Sequence, residues 1–284
     1  MKQYTIATQI TAKSSRTGSL DNAICILNPG SENEGIVLRR IDLPDQPAFE
    51  LGIESLKSIL PNLESEHFDL ASFLPLFAVL RALNIDNIQI DCNNRTFPDM
   101  GSSSSTLLFL VQSAGVKSLN ALRKSIELTS AITHKTVDGG WLKLMPSENR
   151  RMAVLNSKTK INGCIVSKNT MMDFSQALFT SELCHARSED EIEKDASLLD
   201  SENSPHSKYS RLSTEKSHRI LFEAFSVLAL IPHSIQADYV AFNTSQKDNL
   251  EFLTSLINSE CYMLETDLNV SSSTNQDQKN ILAV

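Results

Sequence analysis

Apolar residues recur along this chain with two periods, and the order in which the periods alternate is run through twice. A period of two marks a strand with one buried face; a period of three to four marks one side of a helix. Lys2–Ala12 alternates, with Tyr4, Ile6, Thr8 and Ile10 on one side. Ala23–Leu27 and Gly35–Ile41 read as two more strands, joined through the turn Asn28-Pro29-Gly30. Asp69–Leu83 follows as a helix, with Ser72 as N-cap and Pro75 in the first turn, where a missing N–H is tolerated. Ile85–Cys92 returns as a strand, and Thr106–Ala114 is a helix that stops at Gly115. The pattern then restarts. Ser125–Ile132, Trp141–Leu144, Met152–Leu155 and Gly163–Val166 read as strands and Thr170–Ser181 as a helix. Ser217–Leu230 is an apolar-rich helix, Ile235–Phe242 a strand, Asp248–Ile257 a helix and Cys261–Glu265 a last strand. Ser188–Lys216 has little to bury and reads as a loop or mobile insertion. The expectation is an α+β fold of two units, residues 1–120 and 121–267, with a polar insertion near 186–216 and a disordered tail at 268–284.

Composition narrows the function. The 284 residues carry a net charge of −8, against nucleic acid as the main partner, because phosphate binding needs a basic face. The longest apolar runs, Phe73–Leu80 and Ala224–Pro232, fall short of the roughly 18 residues a membrane span requires, so no transmembrane segment is expected. The polar start MKQYTIATQ does not read as a signal peptide. The five cysteines (25, 92, 164, 184, 261) are odd in number and scattered, which fits a reducing compartment and predicts a cytoplasmic protein. They cannot form a CxxC knuckle, and the histidines show no HxxxH or HExxH spacing. Only nine glycines are present, and GxGxxG, GxxxxGK and GxSxG are absent.

Several strings nevertheless form a set. They are Arg16-Thr17-Gly18, Asn33-Glu34-Gly35, Arg39-Arg40-Ile41-Asp42-Leu43 and Asn84-Ile85-Asp86-Asn87-Ile88-Gln89-Ile90. Pro98-Asp99-Met100-Gly101-Ser102-Ser103, Ala114-Gly115, Asp138-Gly139-Gly140-Trp141 and His218-Arg219 continue it. Together they resemble the UDP-3-O-acyl-N-acetylglucosamine deacetylase family, zinc enzymes of lipid A synthesis in Gram-negative bacteria. The resemblance spans roughly residues 2–266, closely in the first half and loosely across 185–216. It implies two stacked units, each a β-sheet layered on a pair of helices.

It also implies a site of three zinc ligands, a glutamate base and a histidine acid. Carried onto this sequence, the base falls on Leu74 and the first zinc histidine on Pro75, ten residues before Ile85. Residues 71–81 contain no His, Asp, Glu or Cys, so a small shift in alignment restores neither. In the family's His-Lys-x-x-Asp string, His218 matches the histidine, Arg219 the lysine and Phe222 the aspartate. The catalytic histidine falls on Thr244-Ser245-Gln246, with Gln246 in its place. One imidazole alone holds zinc weakly, and His218 reads first as an ordinary surface or helix-face histidine. Cys184 and His185 are sequence neighbours whose side chains point apart, which argues against a thiolate dyad. The serines at 102–105 read as an N-cap cluster, Arg39 and Arg40 as structural, and the acidic run 188–199 as a solvated insertion.

The expectation is therefore a protein that is not an enzyme: no catalytic residues, no metal, no cofactor, and site positions left as Leu74, Pro75, His218, Phe222 and Gln246. Such a pseudoenzyme would act as a protein-binding regulator or scaffold in lipopolysaccharide and lipid A synthesis, its partner the active deacetylase or the machinery that sets its level. The alternative is a module that senses a UDP-acyl-sugar or acyl chain without chemistry. An active zinc deacetylase is the third.

Overall fold

A computed structural model describes residues 1–14, 22–101, 103–147, 152–161, 164–173, 175–197 and 206–264. The turn at 16–18, Ser102, Gly163, the centre of the insertion and the tail from 268 lie outside those residues.

The first run of elements builds a five-stranded sheet. Lys2–Ile6 (β1) and Ile10–Lys13 (β2) are separate strands, so the expected single strand breaks at residues 7–9. Ile24–Pro29 (β3), Ile36–Arg40 (β4) and Ala48–Glu50 (β5) follow, then a short helix, Ile53–Ile59 (α1). A 3-10 turn, Leu70–Phe73, leads into Leu74–Ala82 (α2), then Ile88–Cys92 (β6) and Ser105–Ser113 (α3). The sheet order is β2-β3-β6-β4-β5. Asn28-Pro29-Gly30 is thus no hairpin turn: β6 lies between β3 and β4, antiparallel to the first and parallel to the second. Ile88, Ile90 and Cys92 on β6 are fully buried, and an alternating strand this apolar gains most at the sheet centre. Gly30 is required there, because a Cβ would stand 2.6 Å from the Asn87 carbonyl carbon.

Helix α2 is a core helix, with Leu76, Phe77, Val79 and Leu80 fully buried, and it neighbours α3 in the same run. Ser72 does not cap it. Asp69 caps the preceding 3-10 turn by accepting from the Ala71 N–H, while the Ser72 hydroxyl donates to the Asp69 carbonyl and accepts from the Phe97 N–H. Pro75 stands second in α2, in the first turn, where its missing N–H breaks no hydrogen bond within the helix.

The second run opens with Val116–Leu122 (β7), which pairs antiparallel with β1. Gly115, at φ 69°, turns the chain out of α3, and its carbonyl accepts from the Ala7 N–H. Ser125–Leu128 (β8), Ile132–Lys135 (β9), Trp141–Pro146 (β10), Met152–Ile161 (β11) and Cys164–Asp173 (β12) come next. The expected helix over 170–181 is strand to Asp173 and helix only at Gln176–Ser181 (α4). The expected loop over 188–216 contains a helix, Glu189–Ser197 (α5), and the first half of a long one, His206–Leu228 (α6). Ser234–Phe242 (β13), Gln246–Ile257 (α7) and Tyr262–Leu264 (β14) complete the order. The path β12-β11-β13-β10-β9 forms one seven-stranded sheet with β8 and β14, which continue from β13.

Arg123 ties the start of the second run to the first. Its Nε donates to Asp86 Oδ1 at 2.7 Å and its Nη2 to Asp86 Oδ2 at 3.0 Å; further bonds reach the side chain and carbonyl of Asn84. Asp86 also accepts from the Tyr4 N–H at 2.9 Å. Both charged side chains are about nine-tenths buried (8% and 10% exposed), so this pair is held in a medium where losing one partner is costly.

Candidate functional site

A cleft of about 440 Å³ opens beside α2 and α6, large enough for a sugar or a short peptide segment. One wall is the start of α2 and the loop before α3: Ser72, Pro75, Phe97, Asp99, Ser103 and Ser104. Arg219 of α6 and Asp190, Glu191 and Lys194 of α5 complete it. The cleft offers hydroxyls, carboxylates and two cations over an apolar floor, a set that fits hydrogen bonding and charge pairing with a polar ligand.

Helix α5 sits at this opening because ion pairs fasten it to α6. Arg187 donates to Glu215 Oε1 at 2.6 Å and reaches Asp195 Oδ2 at 3.0 Å. Lys216 stands 3.2 Å from Glu189 and 3.8 Å from Glu193. Ile192 is buried beneath. The hydrogen bond from Arg187 holds the Glu215 carboxyl below the usual carboxylate range. The charge run read as a solvated loop carried a signal for this helix: three acidic residues in the first turn and Lys194 in the last complement the helix dipole.

The five site positions taken from the sequence separate into different surroundings. Leu74 is the first residue of α2 and is buried in the core. Pro75 faces the cleft. Phe222, on α6, is 3% exposed; its ring lies 6.0 Å from Phe179, with the Arg219 guanidinium 5.5 Å from its centroid. His218, one turn earlier, directs Nε2 to Glu182 at 3.3 Å. Gln246 opens α7 behind its N-cap Ser245 and is not part of the cleft wall. Beside Phe222, Glu223 accepts from Arg219 at 2.8 Å, and burial raises its carboxyl above the ordinary value.

Zinc, which the resemblance implies, does not fit these residues. Pro75 and Phe222 have no lone pair to give, and Phe222 is committed to an aromatic cluster with Phe179 and Phe225. Among the described residues no three His, Cys, Asp or Glu side chains are placed to hold a metal ion. No reaction step through a metal follows from this arrangement.

Residues 3–207 match the family model of UDP-3-O-acyl N-acetylglycosamine deacetylase (LpxC). The chain belongs to this family. A UDP-3-O-acyl-N-acetylglucosamine deacetylase from Pseudoalteromonas atlantica is 26% identical over 287 residues, covering 92% of each chain. One from Shewanella denitrificans is 27% identical over 81% of each. One from Hydrogenovibrio crunogenus is 31% identical over 54% of this chain and about half (52%) of its own length. Two expectations are settled by the match. The α+β fold and its deacetylase resemblance stand, and with them a place in the deacetylase family of lipid A synthesis. The expectation that the chain is not an enzyme is overturned: the family is one of enzymes, and these relatives carry the enzyme's name. Among the described residues no helix is long and apolar enough to cross a membrane.

Proposed function

We propose that this member of the deacetylase family acts in lipid A synthesis as a protein-binding regulator or scaffold, with the deacetylase named for its relatives as the partner. The observation that carries it is strand β7. Among the described residues β7 pairs only with β1, regularly over Val116–Ser118 and with an irregularity before Leu122, and the Asn120 N–H turns to Glu32. Val116 and Leu122, at the two ends of β7, are 47% and 71% exposed. A strand edge flanked by exposed apolar side chains is suited to pairing with a second chain. Sedimentation of the purified chain with a deacetylase from the same cell tests this. A complex that is lost in Val116→Asp/Leu122→Asp supports it; no complex with the wild type ends it.

A second reading rests on the cleft. Its hydroxyls and two cations suit the sugar part of the acylated UDP-sugar in the relatives' name, sensed under α5. Calorimetric titration with that sugar, wild type against Arg219→Ala, separates the two: heat lost in the variant supports the cleft, and no heat with the wild type removes it. Acetate release on the same sample reports the family's reaction independently of both arms.

A further inference from the structure

Two cysteines that take no part in the cleft face each other inside the five-stranded sheet. Cys25 on β3 is in register with Cys92 on β6, and the two Sγ atoms stand 3.0 Å apart, with the Cys25 S–H donating to Cys92. Both are fully buried. The next pair along the ladder, Ile24 and Asn93, is the hydrogen-bonded one, because the Asn93 N–H donates to the Ile24 carbonyl. The Cys92 carbonyl accepts instead from Ile41, on the far side of β6. Cys25 and Cys92 therefore form a non-hydrogen-bonded antiparallel pair, the class with the shorter Cα separation of about 4.5 Å, inside the ~4.4–6.8 Å that a disulfide spans. The sulfurs need to close by about 1 Å to reach the ~2.05 Å of a bond.

We propose that Cys25 and Cys92 are a redox modification site, joined as a cross-strand disulfide by exchange with a small-molecule disulfide. One cysteine thiolate attacks a sulfur of the small disulfide, breaks its S–S bond and releases one small thiolate. The second cysteine thiolate attacks the mixed disulfide, forms the Sγ–Sγ bond and releases the other. Two protein thiols are oxidised, one small disulfide is reduced to two thiols, and the two protein protons pass to the released thiolates. The bridge ties β3 to β6 around the intervening chain, which includes the Ser72 and Pro75 wall of the cleft. Its formation is slow. Both sulfurs are out of solvent, and the Cys92 hydrogen bond, then burial, push the Cys25 thiol well above its ordinary range, which keeps the thiolate scarce.

The test uses the full chain, folded, incubated with oxidised glutathione and analysed by intact mass and by non-reducing peptide mapping. The expected result is a loss of two hydrogen atoms, a peptide linking Cys25 to Cys92, reversal by dithiothreitol, and no such product in Cys25→Ala or Cys92→Ala. If either alanine variant fails to fold, by circular dichroism, the wild-type peptide map decides alone. The proposal is overturned if the linked peptide forms only in urea. It is equally overturned if Cys25 or Cys92 pairs with Cys164, Cys184 or Cys261, or if Cys261 is fully glutathionylated while the pair stays reduced.

Discussion

Replacing Phe222 by alanine should cost about 4 kcal/mol of stability, from the middle of the range for truncating a buried phenylalanine. Phe222 is 3% exposed, packs against Phe179 with ring centroids 6.0 Å apart and planes tilted by 31°, and carries the Arg219 guanidinium over its face at 5.5 Å. The substitution removes the whole ring from a cluster that also includes Phe225, leaving a cavity between α4 and α6. Phe222→Leu keeps much of the volume and should cost no more than about 1.5 kcal/mol. Phe222→Asp should lose at least as much as the alanine variant, because its carboxylate would be buried beside Glu223, whose own carboxyl burial already disfavours in its charged form. Added zinc should not rescue it, since Pro75 offers no third donor. Urea titration followed by far-UV circular dichroism reads each value from the shift in midpoint at constant slope. A cost under about 1 kcal/mol for Phe222→Ala, or a midpoint restored by zinc in Phe222→Asp, would refute the view that this position is packing and not a ligand site.

Arg123→Met leaves Asp86 buried without its cation and should cost about 3 kcal/mol in urea titration, while Arg123→Met/Asp86→Asn should recover part of it. The His233 imidazole is pushed down to about 4 by burial first, then by Lys124 and Arg81. Its unfolded value lies near 6.5, so the unfolded chain takes the proton first as pH falls. Stability should be unaffected by His233 above pH 6.5 and should drop between 6.5 and 4, and His233→Asn should flatten that part of the curve. Arg187→Ala frees α5, so hydrogen exchange of amides 189–197 should speed up while β6 stays protected. Because the Glu215 carboxyl is held low, the same loosening should appear in the wild type as pH falls below about 4.5. Elemental analysis of the purified chain should find zinc well below one equivalent; a full equivalent surviving dialysis would show a donor set outside the described residues.

Some of this was readable in one dimension. The alternation of Ile88, Ile90 and Cys92 gave a buried strand, and the apolar faces of α2 and of the second half of α6 gave two core helices, because burial depends on a local period that sequence displays. The family strings around residues 33–43, 84–90 and 98–115 gave the fold by resemblance. The identities of Pro75 and Phe222 already excluded them as zinc donors and that of Leu74 excluded it as a base, since a side chain without a lone pair can neither ligate nor take a proton wherever it is placed. Tertiary structure decided the rest. The crossover that puts β6 between β3 and β4 depends on long-range pairing, which short turn signals such as Asn28-Pro29-Gly30 cannot specify. Helix α5 holds its place through Arg187, Glu215 and Lys216, charges that look solvated until α6 is folded beneath them. Cys25 and Cys92 are scattered thiols in the sequence; only the register of two strands, set by the sheet around them, brings their sulfurs into contact.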